Sequence, residues 1–196
     1  MIAHVKVLAV LSAFSVGCAA ATPVPMLPTP ARCAEAAPPP TDDVVVARFY
    51  EAFDRHDFAA MACAYDPNVE FTDPVFGTLH GKRALAMWAM LTTLGKDLRV
   101  QASQIHTDDA GTHAHWDAHY TFAFLLFHNH VDNSVDATFE LRGGKVVRHR
   151  DAFDLARWKK SALWPFAGAA SDATLQHNVE EKLDGFIESH PEFQGG

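Results

Sequence analysis

Apolar residues recur at helical spacing near residue 50. Val45, Phe49, Ala52 and Phe53 share one face, behind Thr41 and two aspartates. A hydroxyl at the N-cap and acids in the first turn complement the free N–H groups and the helix dipole, so "TDDVVVARFYEAFDRHDF" predicts a helix. "DFAAMACAY" reads as a second, short helix capped by Asp57, and "PNVEFTDPV" as a strand ended by Pro74. "GKRALAMWAMLTTLG" reads as an amphipathic helix closed by Gly95. Four runs then alternate as strands do: Asp97 to His106, Thr112 to Phe127, Val131 to Leu141 and Lys145 to Phe153, with "RGGK" as a hairpin turn before the last. From Leu155 the helical pattern returns, with Leu175, Val179, Leu183, Phe186 and Ile187 on one face. This order predicts an α+β fold, helices packed on one face of a curved sheet.

The flanks differ from this core. Lys6 and the apolar run Val5 to Val16 read as a signal peptide over residues 1–21, too short for a stable membrane span. Two processing routes fit: cleavage after Ala21, or a lipoprotein signal in which "SVGC" resembles a lipobox and Cys18 would be lipidated. Export to a bacterial cell envelope, periplasmic, secreted or lipid-anchored, is expected on either route. Residues 22–41 form an Ala/Pro-rich linker, expected to be a semi-extended tether. The folded domain is placed at 42–158 and a helical C-terminal extension at 159–196. That extension either completes the core, which is the expectation, or caps a binding site.

Composition narrows the class. Nearly half of the 196 residues are hydrophobic, including 14 Phe and 4 Trp, which excludes a disordered chain. The net charge of −8 and the absence of a basic stripe argue against nucleic acid as a partner. Cys33 and Cys63 can pair in an oxidising compartment, but Cys63, at an apolar helical position, is expected as a buried thiol.

"FYEAFDRHDFAAMACAYDPNVEFTDPVFGTLHGKRAL", "AHWDAHYTF" and "VDATFELRGGKVVRHRDAFDLARW" resemble the opening and closing segments of the SnoaL-like branch of the nuclear transport factor 2-like superfamily. The resemblance covers about Val44 to Trp158. It implies a cone: a curved antiparallel sheet wrapped by N-terminal helices, with a pocket for a small apolar molecule and frequent pairing of two copies through the sheet face. It implies no cofactor. Members include isomerases, cyclases, hydrolases and non-catalytic binding modules, so fold alone does not fix function.

Candidate chemistry follows from the same residues. Asp73 before Pro74 is a ready turn starter. It also falls where ketosteroid isomerases carry a general-base aspartate, and Asp136 falls where they carry a protonated one that donates to the oxyanion. The matching tyrosine position reads Phe49, with Tyr50 beside it. Alternation puts His113, His115, Asp117 and His119 on one strand face, with Trp116 and Tyr120 on the other, and places His149 with Asp151. The limonene-epoxide hydrolase branch implies an acid–base set of Asp117 and Asp151 bridged by His115, which stands in place of an arginine. A histidine bridges carboxylates only while protonated. The expected site therefore has Asp73, His115, Asp117, Asp136 and Asp151 in acid–base roles. Phe53, Phe76, Trp88, His119 and His149 would contact substrate, and no metal is expected. Two functions stand side by side, a cofactor-independent acid–base enzyme and a non-catalytic ligand-binding or interaction module.

Overall fold

The computed structural model describes residues 26–35, 41–95, 97–124, 126–168 and 171–195. The signal segment and the lipidation candidate Cys18 lie outside the described residues. Helix α1 spans Pro30–Glu35, α2 Asp42–Asp54, α3 Phe58–Ala64, α4 Gly81–Leu94, α5 Leu155–Ala162 and α6 Asp172–Ser189. The strands are β1 Tyr65–Asp73, β2 Gly77–His80, β3 Arg99–Asp108, β4 Gly111–Phe124, β5 Phe127–Arg142 and β6 Lys145–Ala152. They form one sheet in the order β2-β1-β6-β5-β4-β3. All neighbours are antiparallel except β1 and β6, which run parallel. The sheet is thus mixed, whereas an antiparallel one was expected. The short strand β2 folds back on β1 through a turn at Pro74–Phe76, with Gly77 at φ 67.

Helices α2 and α4 fill the concave side. Phe49, Tyr50 and Phe53 from α2 and Met87, Trp88 and Met90 from α4 pack on Phe71, Trp116, Val135, Ala137 and Phe139 of the sheet. Burying side chains of this size, at about 25 cal/mol per Å² of apolar surface, is the main force closing the sheet around the helices. The two C-terminal helices do two things. Leu183 of α6 joins this core, while Trp158, Ala162 and Leu163 of α5 region and Leu175 of α6 build a second cluster on Val75 and Val131.

Two expectations about the flank are corrected. Pro30–Glu35 is helical, not extended, and Cys33 is disulfide-bonded to Cys63, which is therefore not a free buried thiol. The pair joins residues 30 apart in sequence, a proximity no local pattern encodes. Among the described residues no helix is long and apolar enough to cross a membrane.

Candidate functional site

Strand β4 alternates as the sequence implies, but with the opposite face inward. Ala114, Trp116 and Ala118 are buried against the helices, while His115 and Asp117 are partly exposed and His119 is exposed on the convex face. Alternation alone is blind to this choice. The apolar set decides it, because exposing Trp116 and burying three polar groups would forfeit hydrophobic burial and leave polar groups to be satisfied. Asp136 on β5 also faces out. The expectation that His115, Asp117, Asp136 and His119 point into a pocket is thus corrected.

The bridged set nevertheless exists, on the outside. His115 lies 2.7 Å from Asp136 through Nδ1, and 3.7 Å from Asp117 and 3.1 Å from Ser134 Oγ through Nε2. His119 pairs with Asp132 at 2.6 Å. These contacts sit in solvent, where such pairs contribute little.

Inside, β6 carries His149 and Asp151, both buried. A register irregularity opposite Glu140–Leu141 lets Val146 and His149 both point inward, in step with Asp151. Tyr65 at the start of β1 brings its hydroxyl to 2.6 Å from His149 Nδ1. His149 Nε2 lies 3.0 Å from Asp151, which also accepts the Trp116 indole N–H at 3.3 Å. The Trp88 indole N–H donates to the Tyr65 hydroxyl at 2.9 Å. The His149 ring is stacked between Phe139, at 4.0 Å, and Trp88, at 5.8 Å. Phe53 packs edge-on against both Trp88 and Trp116.

Asp73 ends β1 as both readings of it required. Its Oδ1 accepts the N–H groups of Val75 and Phe76, which makes the turn. The same carboxyl is pushed up from 3.8 to about 7, first by burial and then by the negative charge of Asp151, against the pull of the two backbone N–H groups. Its surface is half-buried, but the protein crowds it closely: Val75, Phe76, Tyr120 and Trp158 belong to the second cluster. Tyr120 accepts the Trp158 indole N–H at 2.7 Å, and burial together with the Asp73 charge holds its hydroxyl up at about 12. The Tyr50 hydroxyl is buried without a hydrogen-bond partner among the described residues, and its pKa is raised well above 10 by burial and by Asp151.

The structure thus brings Asp73, Asp151, His149, Trp88, Phe53 and Phe76 to the concave side, and leaves His115, Asp117, Asp136 and His119 on the convex one. Sequence reasoning missed Tyr65 and the donor role of Trp116. The only signal for Tyr65 was an aromatic at the junction of "CAYDPN", and its partner His149 lies 84 residues away. A separate cleft of about 1120 Å³ runs between the α1 segment and the start of α4, lined by Leu27, Pro30, Cys33, Tyr65, Lys82 and Lys145 among others.

Solved structures share this fold. TerC, co-crystallised with polyporic acid, superposes with a TM-score of 0.54 at 17% identity over 63% of this chain and 99% of its own. An epoxide hydrolase of the LEH-like type from M. tuberculosis gives 0.51 at 18% identity over 65% and 93%. SalBIII, an epoxide hydrolase/cyclase-like enzyme with a role in pyran ring formation in the polyether salinomycin, gives 0.53 at 15% identity over 59% and 92%. No curated protein matches the chain in sequence. The profile of the SnoaL-like domain matches residues 46–149, just over half of the chain and the span from within α2 to His149, and the protein belongs to that family.

Proposed function

We propose that this SnoaL-like protein is a cofactor-independent acid–base enzyme, an isomerase, cyclase or hydrolase, acting on a small and largely apolar substrate. The observation that carries the proposal is Asp73, a carboxyl poised near neutrality beside the charge of Asp151. A group with a pKa close to the working pH can both take and return a proton, which is the requirement of general acid–base catalysis. In this reading Asp73 removes a proton from a carbon or an attacking hydroxyl and delivers it later in the same turnover. Asp151, held by donors from Trp116 and His149, stays as the fixed charge that tunes it. The Tyr50 O–H, buried without a partner among the described residues, is a donor available to a developing oxyanion. Cyclase and epoxide-hydrolase chemistry among the fold relatives supports the class of reaction.

The test pairs two measurements on the full chain. NMR titration of the Asp73 side chain is expected to give a midpoint near 7. A panel of enones and epoxides is expected to yield one substrate whose turnover Asp73→Asn abolishes. A midpoint near the ordinary value of about 4 would overturn the proposal.

A second reading, a non-catalytic ligand-binding or interaction module at the cell envelope, is favoured by one observation. The cleft of about 1120 Å³ has an apolar and cationic lining that does not include Asp73 or Asp151. Export supports either reading and is itself proposed, on the sequence of the first 21 residues and on the Cys33–Cys63 disulfide, a bond that persists in oxidising compartments.

A further inference from the structure

We propose that His106, Asp108 and His113, at the closed end of the β3–β4 hairpin, form a binding site for one zinc-class divalent transition-metal ion. One ligand atom from each residue lies within 4.8 Å of the other two. His106 and His113 are direct cross-strand partners with rings stacked at 5.1 Å. His113 Nε2 is 3.2 Å from Asp108 Oδ1. Tetrahedral zinc, with bonds of about 2.0–2.2 Å, wants its ligand atoms roughly 3.3–3.5 Å apart. Closing from the present spacing takes about an ångström of side-chain rotation, on chains that are exposed or partly exposed.

The backbone creates this set. Between Ser103 and His106 the β3–β4 register shifts by one residue, and Gln104 takes φ 53. Ser103 opposes His115 and His106 opposes His113, so two residues of β3 stand against one of β4. Without the extra residue Ile105 would oppose His113. The bulge therefore turns Ile105 toward the core and brings a second imidazole onto the convex face.

His106 is also held in a ligating tautomer. His106 Nδ1 lies 2.9 Å from the Gln104 carbonyl oxygen, which can only accept. Nδ1 therefore carries the proton, and Nε2 presents its lone pair, the arrangement that orients metal-binding histidines. Asp108 Oδ1 accepts the Ala110 N–H at 2.8 Å and lies 3.2 Å from His113 Nε2, which fixes the carboxyl beside the two imidazoles. A metal ion would replace the proton between His113 Nε2 and Asp108. Two imidazoles and one carboxylate suit zinc better than calcium or magnesium, and three protein ligands leave a fourth position for water. The histidine–carboxylate pairs elsewhere on this face, His115 with Asp117 and Asp136 and His119 with Asp132, each offer a single imidazole.

The test is isothermal titration calorimetry of zinc chloride into the full chain at pH 7.5. One equivalent is expected to bind. His106→Gln and His113→Gln are each expected to weaken binding at least tenfold. His128→Gln/His130→Gln, on the same face, is expected to leave it unchanged. Long-range proton–nitrogen spectra are expected to show zinc-induced shifts at the ring nitrogens of His106 and His113. Binding that survives the His106→Gln/His113→Gln double substitution, or weak binding spread over many histidines, would overturn the proposal. Circular dichroism of the variants separates loss of the site from loss of the fold.

Discussion

Trp88 donates its indole N–H to the Tyr65 hydroxyl at 2.9 Å, and this one bond sets the direction of the chain behind it. An indole nitrogen can only donate, so the Tyr65 proton points on to His149 Nδ1. Neutral His149 then carries its proton on Nε2 and donates to Asp151. Tyr65→Phe deletes the relay and leaves the Trp88 indole N–H and His149 Nδ1 without their partner. It is expected to cost about 1–3 kcal/mol in chemical denaturation. It is also expected to change the His149 tautomer pattern in nitrogen NMR, while unchanged spectra would mean the chain is not connected in solution. Tyr50→Phe is expected to do the reverse, leaving stability equal or raised by roughly 1 kcal/mol, because that hydroxyl is buried without a partner among the described residues.

Asp73 gives stability a specific pH dependence. Its folded pKa of about 7 lies above the ordinary 3.8, so the fold favours the protonated form. The stabilisation is complete below about pH 4 and is lost as pH rises through 7, where the carboxylate must be held against burial and Asp151. Asp73→Asn is uncharged throughout and still offers an oxygen to the Val75 and Phe76 N–H groups. The variant is expected to be more stable than the parent at pH 8 by roughly 1–3 kcal/mol, allowing for screening at its exposed edge, with little difference at pH 4. Denaturation midpoints at the two pH values check this. Equal differences at both would show that Asp73 is not perturbed.

The cone was legible because its order of periods, helical then alternating, is written locally in side chains such as Phe49 and Phe53 or Ala114, Trp116 and Ala118. The facing of β4 is equally written there, because the apolar parity of Ala114, Trp116 and Ala118 opposes the family pattern at His115 and Asp117. Asp73 was legible as both turn and carboxyl, since the Asp-Pro pair fixes the turn and the strand end fixes the position. What pairs over long separations was not legible: Tyr65 with His149, Cys33 with Cys63, and Trp158 with Tyr120 each depend on how elements dock. The β3 bulge was hidden for another reason, since one extra residue in a strand of polar side chains leaves no compositional mark.

The Cys33–Cys63 bond holds the α1 segment beside the end of α3. Among the described residues an exposed Arg32–Asp57 ion pair at 3.6 Å also ties α1 to the N-cap of α3. Closing a loop of 30 residues restricts the unfolded chain, so Cys33→Ser/Cys63→Ser is expected to cost on the order of 3 kcal/mol in the chain-entropy account. Thermal unfolding of the oxidised protein and of the double variant measures this. The core built on α2, α4 and the sheet does not depend on the bond, and the variant is expected to keep its far-UV spectrum. A double variant as stable as the parent would show that the bond constrains the chain little.

Trp158 of α5 packs in the cluster that holds Val75, two residues past Asp73. It sits in the second cluster with Val75 and Leu175 and donates to Tyr120, whose own hydroxyl feels the Asp73 charge. Trp158→Ala removes a buried indole, and a loss of about 3–5 kcal/mol is expected. The more telling readout is the carboxyl. Burial is the largest cause of the raised Asp73 pKa, so admitting water beside Tyr120 is expected to lower it from about 7 toward the ordinary value. NMR titration of Asp73 in the variant, under conditions where it is folded, makes the comparison. A midpoint that stays near 7 would mean that β1 and the Val75–Phe76 turn bury Asp73 without help from α5. A midpoint that drops would make α5 the element that sets the chemistry of the site.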